Sequence, residues 1–393
     1  MKRLIALVLA VAAPALAYEG YEHRKISDRA AAGAFNGLYM LPPALASLLP
    51  DLPWRGTAGR WVTCTKDRTG SGKCDWFGDS NKLEIWIGPR DGRSGTWASF
   101  GDLVMVYGDH RDTVPGMLAT SEAEFKRLRD AANTTGHTFS RLGQEAAFLH
   151  LAAKNATHFG STAVMAYYSN HHQALLLAYQ AVVKNDVRLM WEALHYEALA
   201  VHSLTDLFAP GHLFVDREGA VNLINAERAW ETTSNPLGKL VAAKKWFDGA
   251  MGGVWDKYGY KRHDDFNEWG MQVKDLRHQG AWWTYGDAKY DKLSKAHAGK
   301  DPPAYAAEKS LTHLVFSYAM MLGAKAGKAP GHTAASMFKK METHPLLYES
   351  LLDVPARFEK QKHSEGVFPN AKCGSDGYCD FPLKAVIEKL LGK

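Results

Sequence analysis

Apolar residues return at i, i+3 and i+4 through two stretches of this chain, 161–184 and 186–208, over five or more turns each. That period predicts two long helices with one buried face. A helical pattern also runs from about Glu19 to Leu49, interrupted at Pro42-Pro43. Between about Trp54 and Val106 the pattern changes: Gly and Trp are frequent, and LEIWIG at 83–88 reads as β-like. We read 54–106 as an irregular, β-containing insertion. After Pro115 the helical period returns, and TSEAEFKRL offers an N-cap at Thr120 or Ser121 with acidic residues in the first turn. Further helices are expected near 219–247, 303–325 and 382–391, whereas 258–302, rich in Trp, Asp and Gly, reads as loop. The tripeptide YGD recurs at 107–109 and 285–287, too short to mark a duplication, and no solenoid repeat is visible. The expected fold is a mainly α helical bundle with loop and β-containing insertions.

The first residues adjust that picture. MKRLIALVLAVAAPALA places Lys2 and Arg3 before an apolar run that ends in Ala15-Leu16-Ala17. This reads as a secretory signal peptide over 1–17, leaving 18–393 as one mainly helical domain in the periplasm or outside the cell. No later stretch reaches the apolar length of a membrane-spanning helix. Loss of Lys2 and Arg3 brings the formal charge of +5 down by two, and no Lys/Arg block suggests a nucleic-acid stripe. Cys64, Cys74, Cys373 and Cys379 form two local pairs, which in an exported chain read as the disulfides 64–74 and 373–379.

Three segments carry candidate metal chemistry. In HSLTDLFAPGH, His202 and Asp206 lie one helical turn apart on one face, so both can reach one cation. Pro210-Gly211 is expected to end that helix and leave His212 just past it, where it would serve a second ion, with Asp206 able to bridge. In YEGYEHRKI, signal cleavage makes Tyr18 the first residue, whose amino and carbonyl groups could chelate a metal together with His23. In NATHF, His158 leads into a long helix. Taken singly, each has a plain structural reading: a hydrogen-bonded pair, an exposed terminal histidine, a capping or packing residue. His171, His172 and His195 stay open between core packing and support of a ligand, and His297, His313, His332, His344 and His363 read as structural or surface.

Taken together, these segments resemble the superfamily of bacterial zinc-dependent phospholipases C and fungal single-strand-specific nucleases. The spacing His-x3-Asp-x5-His matches at His202, Asp206 and His212, the His-Phe pair at His158-Phe159, and the terminal chelator at Tyr18, where the family usually carries Trp. HDDFNEWG at 263–270, followed by WWTYGD, is similar to the bacterial phosphatidylcholine-hydrolysing phospholipases C, and the likeness covers about residues 18–290. The resemblance implies a helical bundle of the zinc-dependent phospholipase C type holding two to three zinc ions. Tyr18, His23 and Asp206 would hold one ion. Asp109, His158, His202 and Asp206 would hold a second, and His212 with His263 and a nearby carboxylate the third. Asp109 in VYGDHRD is preferred to Asp102 in SFGD, and the third-site carboxylate stays open among Asp264, Asp265 and Asp301, since Asn267 stands at the family's x3 position.

The resemblance further implies a metal-activated water attacking a phosphodiester, with Asp109 as the candidate base. The substrate would be phosphatidylcholine or a similar lipid met transiently at a membrane surface, and the 12 Trp and 16 Tyr could form a choline cage or an interfacial surface. Two other functions stay in view: a single-strand-specific zinc nuclease, against which the near-neutral charge argues, and an exported zinc-binding protein without turnover.

Overall fold

The two long periodic stretches form an antiparallel helical hairpin, and the rest of the chain packs around it. The computed structural model describes residues 20–37, 55–56, 83–88, 95–108, 110–132, 156–214, 266–277, 280–286, 302–361 and 371–392. The elements before the hairpin are α1 (Gly20–Gly37), β1 (Arg55–Gly56), β2 (Leu83–Ile87), β3 (Thr96–Ser99), α2 (Phe100–Val106), α3 (Val114–Leu118) and α4 (Glu122–Ala132). The hairpin itself is α5 (Gly160–Lys184) and α6 (Val187–Asp206). After it come α7 (Pro210–Phe214), β4 (Met271–Asp275), β5 (Trp282–Thr284), α8 (Pro302–Lys325), α9 (Ala334–Glu342), α10 (Leu346–Leu352), β6 (Pro355–Glu359), β7 (Tyr378–Asp380) and α11 (Leu383–Leu390). The described chain is mainly helical, as its period predicts.

The hairpin turn is short for a reason visible in the residues. Asn185 adopts the left-handed conformation, φ 54°, and its N–H closes the last turn of α5. Asn tolerates that conformation better than most side chains. Asp186 then accepts from the Arg188 N–H at 3.1 Å and caps α6. Along α5 the buried positions Ala163, Val164, Tyr167, His171, Ala174, Leu175 and Ala178 follow the helical period. In α6, burial becomes continuous from Ala200 to Asp206. A helix hydrophobic all round sits inside the fold, and here it carries the candidate ligands.

Two apolar clusters meet along α6. The first includes Leu189, Ala193, Leu194 and Val201 with Leu311, Leu314 and Val315 of α8. The second gathers Leu204, Leu207 and Phe208 with Phe214, Phe266, Met271, Phe358 and Phe381. His202 and Asp206 therefore stand at the seam between the clusters. The helix α8 lies against both helices of the hairpin and against α1, and α1 also packs on α2.

Two small sheets flank the bundle. In the first, β2 pairs antiparallel with β1 and β3, with Trp86 opposite Trp97, and Trp191 of α6 completes a group of three indoles. Leu83, Ile85 and Ile87 of β2 join the first core cluster. Within the stretch read as irregular, residues 100–106 form the fully buried helix α2, started by the Ser99 hydroxyl accepting from the Asp102 N–H at 3.0 Å. The second sheet has the order β5-β4-β6-β7, all antiparallel. It corrects the reading of 258–302 as loop: 271–275 and 282–284 pair as a hairpin, because Met271 and Val273 alternate inward while Gln272 and Lys274 do not. Ser121, one of the two cap residues expected, accepts from the Glu124 N–H at the start of α4.

Cys373 and Cys379 form the expected disulfide beside β7. Such bonds persist in oxidising surroundings. The segment 1–17, the 64–74 pair and the helix expected near 219–247 lie outside the described residues. No helix among the described residues is long and apolar enough to cross a membrane.

Candidate metal centre

Four segments from three separate parts of the sequence converge on the Asp206 carboxylate. His23 comes from the first turn of α1, His158 from the single 3-10 turn Ala156–His158 that precedes α5, His202 and Asp206 from the end of α6, and His212 from α7. All five are buried. From Asp206 Oδ1, His23 Nε2 lies at 3.3 Å and His212 Nδ1 at 3.8 Å. From Oδ2, His158 Nδ1 lies at 2.7 Å and His202 Nε2 at 3.5 Å. The ring nitrogens of His158 and His202 are 3.3 Å apart, and the His23 and His202 rings stack at 4.1 Å.

These atoms fall into two groups compact enough to hold a cation. One is His23, His202 and Asp206; the other is His158, Asp206 and His212. Asp206 belongs to both. The grouping differs from that implied by the resemblance: His202 stands with His23, and His212 stands with His158. The reason lies in the local chain. The helix α6 ends at Asp206 and His212 lies past that end, as its sequence suggests, but Pro210 begins α7 and His212 sits inside this second, short helix. The Gly211 N–H donates to the buried Asn267 Oδ1 at 2.7 Å, which fastens α7 to the segment before β4.

Hydrogen bonds behind the imidazoles settle which nitrogens can ligate. His202 Nδ1 lies 2.8 Å from the Val104 carbonyl oxygen and must donate to it. His212 Nδ1 donates likewise to the His158 carbonyl oxygen at 2.8 Å. The Thr205 hydroxyl lies 2.9 Å from both the Val201 and the His202 carbonyl oxygens, so its proton is committed there. Its oxygen therefore accepts from His23 Nδ1 at 2.9 Å. In all three rings Nδ1 carries the proton and Nε2 is the nitrogen that can bind a metal.

The electrostatics point the same way. Burial, reinforced by the neighbouring His23, pushes His202 well below the ordinary histidine value, so its ring is neutral. Burial alone would push the Asp206 carboxyl up, but the surrounding imidazoles of His158, His202 and His212 hold it well below the usual carboxylate range. No lysine or arginine among the described residues pairs with this buried carboxylate to supply a counter-charge, and neither of its oxygens has an aligned hydrogen-bond donor. A divalent cation bound by those nitrogens and oxygens would supply that charge. The donor set, nitrogen with carboxylate oxygen, suits zinc.

The roof of the cluster is Gly108. Its φ of +80° favours glycine, and a Cβ there would lie 2.6 Å from His158 Cε1 and collide with the His202 ring. Phe159 stacks on the His212 ring at 4.1 Å. Tyr18, Asp109 and His263, with Asp264, Asp265 and Asp301, lie outside the described residues. Asp102 stands apart from both ligand groups at the start of α2, its carboxylate 3.0 Å from Arg24. His195 is core: it accepts from the Tyr107 hydroxyl and donates to the Trp86 carbonyl oxygen, each at 2.8 Å. His172 reaches Glu342 of α9 at 3.0 Å, near the surface.

Fold and site together define a mainly helical protein with a buried four-histidine, one-aspartate constellation able to hold metal. No family model, no curated protein and no solved structure matches the chain. The likeness to zinc-dependent phospholipases C rests on the motifs named above.

Proposed function

We propose that this chain is an exported zinc-dependent phosphodiesterase, a phospholipase C acting on phosphatidylcholine-like lipids, with a helical bundle of that family's type. The observation that carries the reading is Asp206: a desolvated carboxylate shared by two groups of imidazoles, of which His23, His202 and His212 have their Nδ1 protons engaged elsewhere. His23, His202 and Asp206 would hold one zinc ion, and His158, Asp206 and His212 another. Tyr18, Asp109 and His263 are proposed to complete these sites and a third. Zinc bound there would acidify a water and neutralise phosphate oxygens.

The chain's own residues hold that chemistry in place. Thr205, the Val104 carbonyl and the His158 carbonyl fix the tautomers of His23, His202 and His212. Gly108 leaves room for the ligand rings, and Phe159 covers His212. Asp109, next to Gly108 in sequence, is the proposed acceptor of the water's proton.

The test is an assay of the purified mature chain on phosphatidylcholine, a short-chain phosphocholine ester and single-stranded DNA, each with and without a chelator. Chelator-sensitive release of diacylglycerol without DNA cleavage is the expected result. Cleavage of DNA alone would reassign the site to a nuclease, and zinc binding without turnover on any of the three would reassign it to a binding protein.

A further inference from the structure

A second buried polar network lies in the bundle, away from the candidate ligands. On α5, Tyr167 and His171 are one turn apart; on α6 stands Glu197; on α8 stand Ser310 and His313. Tyr167 is packed in the second core cluster and the other four are wholly buried. His171 Nδ1 lies 2.6 Å from Glu197 Oε2, and His171 Nε2 lies 2.8 Å from His313 Nδ1. The Ser310 hydroxyl donates to Glu197 Oε1 at 2.5 Å and accepts from the Tyr167 hydroxyl at 3.1 Å. His313 Nε2 lies 3.1 Å from the Met341 carbonyl oxygen on α9.

Counting protons fixes the directions. A carbonyl only accepts, so His313 Nε2 carries its proton. Burial, with His171 and His344 beside it, pushes His313 well below the ordinary histidine value, so its ring is neutral and Nδ1 accepts from His171 Nε2. One more proton must then lie between His171 Nδ1 and Glu197 Oε2. Ser310 Oγ, 3.3 Å from the same nitrogen, is placed to accept a share of it. Every member is satisfied only in this one arrangement of four helices.

Such a network does something an apolar interface does not. The faces around it are Ala174, Ala178, Ala193, Ala198, Leu311 and Leu314, shapes that tolerate sliding. A shift of one residue moves a helix by about 1.5 Å and turns it by about 100°. Hydrogen bonds of 2.5–2.8 Å do not survive that. The turn at Asn185 already holds α5 to α6 covalently, whereas α8 follows almost a hundred residues later and is tied to the hairpin through side chains, by this network in its middle and by Lys325 on the Val182 carbonyl at its end. Behind α8 lies α1: a Cβ on Gly33 would run into the Glu308 carboxylate, so the two helices approach closely there. The first turn of α1 carries His23.

We propose that His171, Glu197, Ser310 and His313 are positioning residues: they pin α8 to the α5–α6 hairpin, and α8, packed on α1, delivers His23 to Asp206. The inference rests on the metal reading of the His23, His202 and Asp206 group. It predicts an asymmetry between the two groups, because His158, His202 and His212 reach Asp206 from the hairpin and its ends, whereas His23 comes on α1, a separate helix packed on α8 and α2.

The experiment compares the mature parent with three variants. His171→Leu/Glu197→Leu/Ser310→Ala replaces the pair by apolar side chains, an exchange that often leaves stability unchanged. Ser310→Ala/His313→Leu removes only the α8 side, should the first variant fail to fold. Glu197→Gln keeps every hydrogen bond around a neutral His171, since the amide can donate to Nδ1 and accept from Ser310. Zinc equivalents retained after dialysis, and amide exchange of the metal-free proteins, are read for each. Glu197→Gln should match the parent. Either apolar variant should lose one zinc equivalent, the loss also expected of a His23→Ala control, and its α1 amides should exchange about tenfold faster while α5 and α6 stay protected. Parent-like zinc content with parent-like protection of α1 would overturn the proposal. So would loss of all zinc together with opening of the hairpin. A parent that binds no zinc would count against the metal reading, and the exchange pattern alone would then decide the pinning.

Discussion

His195 is where core chemistry and site chemistry can be told apart by titration. It lies on α6 seven residues before His202, yet its ring is closed off by Tyr107 and the Trp86 carbonyl. Burial pushes it down to about 4 from the ordinary 6.5, and the bond to Trp86 opposes this only in part. The folded value is the lower one, so as pH falls the unfolded chain takes up the proton first. Its contribution is therefore intact above about 6.5 and is lost as pH falls toward 4. At about 1.36 kcal/mol per unit, the gap sets a ceiling of about 3 kcal/mol, of which about 2 kcal/mol is gone by about pH 5. His313 is depressed by burial too and adds to the decline. Urea unfolding of chelator-treated protein near neutrality and near pH 5 measures the sum, and His195→Gln isolates one part of it. Gln keeps an acceptor for Tyr107 and a donor for Trp86 but cannot protonate, so the variant's loss on acidification should be smaller by about 2 kcal/mol. Equal losses in parent and variant would show that His195 does not stay neutral in the folded core.

Two further outcomes follow from the ligand cluster. Gly108→Ala places a methyl against His158 and His202 at φ +80°, with a backbone cost of about 1–2 kcal/mol offset in part by a stiffer unfolded chain. Its melting temperature should fall by a few degrees while zinc affinity, read by chelator competition, falls about tenfold or more; unchanged affinity would contradict the close approach. Thr205→Val removes the acceptor of the His23 Nδ1 proton, and should weaken zinc binding by about tenfold or more with little change in the helical circular dichroism signal.

The helices α5 and α6 were legible because their apolar period runs for five turns without interruption, and His202 with Asp206 because an i, i+4 pair needs only a helix to meet. The convergence of His23 on Asp206, 183 residues away, is a property of packing that no local pattern carries; only the family likeness suggested it. His212 lies past the end of α6 as expected, but the short helix α7 that holds it was not foreseen, because Pro210 reads equally as a helix stop and a helix start. The β4–β5 hairpin was hidden because Trp and Gly outweighed a short alternation, MQVKD. The network around Glu197 left one trace: Tyr167 with His171, and Ser310 with His313, are polar groups at helical spacing on otherwise apolar faces. Their partners lie on other helices, so the trace alone could not be read as a network.

The central claim is that Asp206 gathers imidazoles around zinc. Zinc per chain, measured by elemental mass spectrometry on the mature protein and on Asp206→Asn after exhaustive dialysis, tests it most directly. At least two equivalents are expected in the parent and one or none in the variant, with zinc raising the melting temperature far more in the parent. No zinc in the parent, or the same content in both, would contradict it.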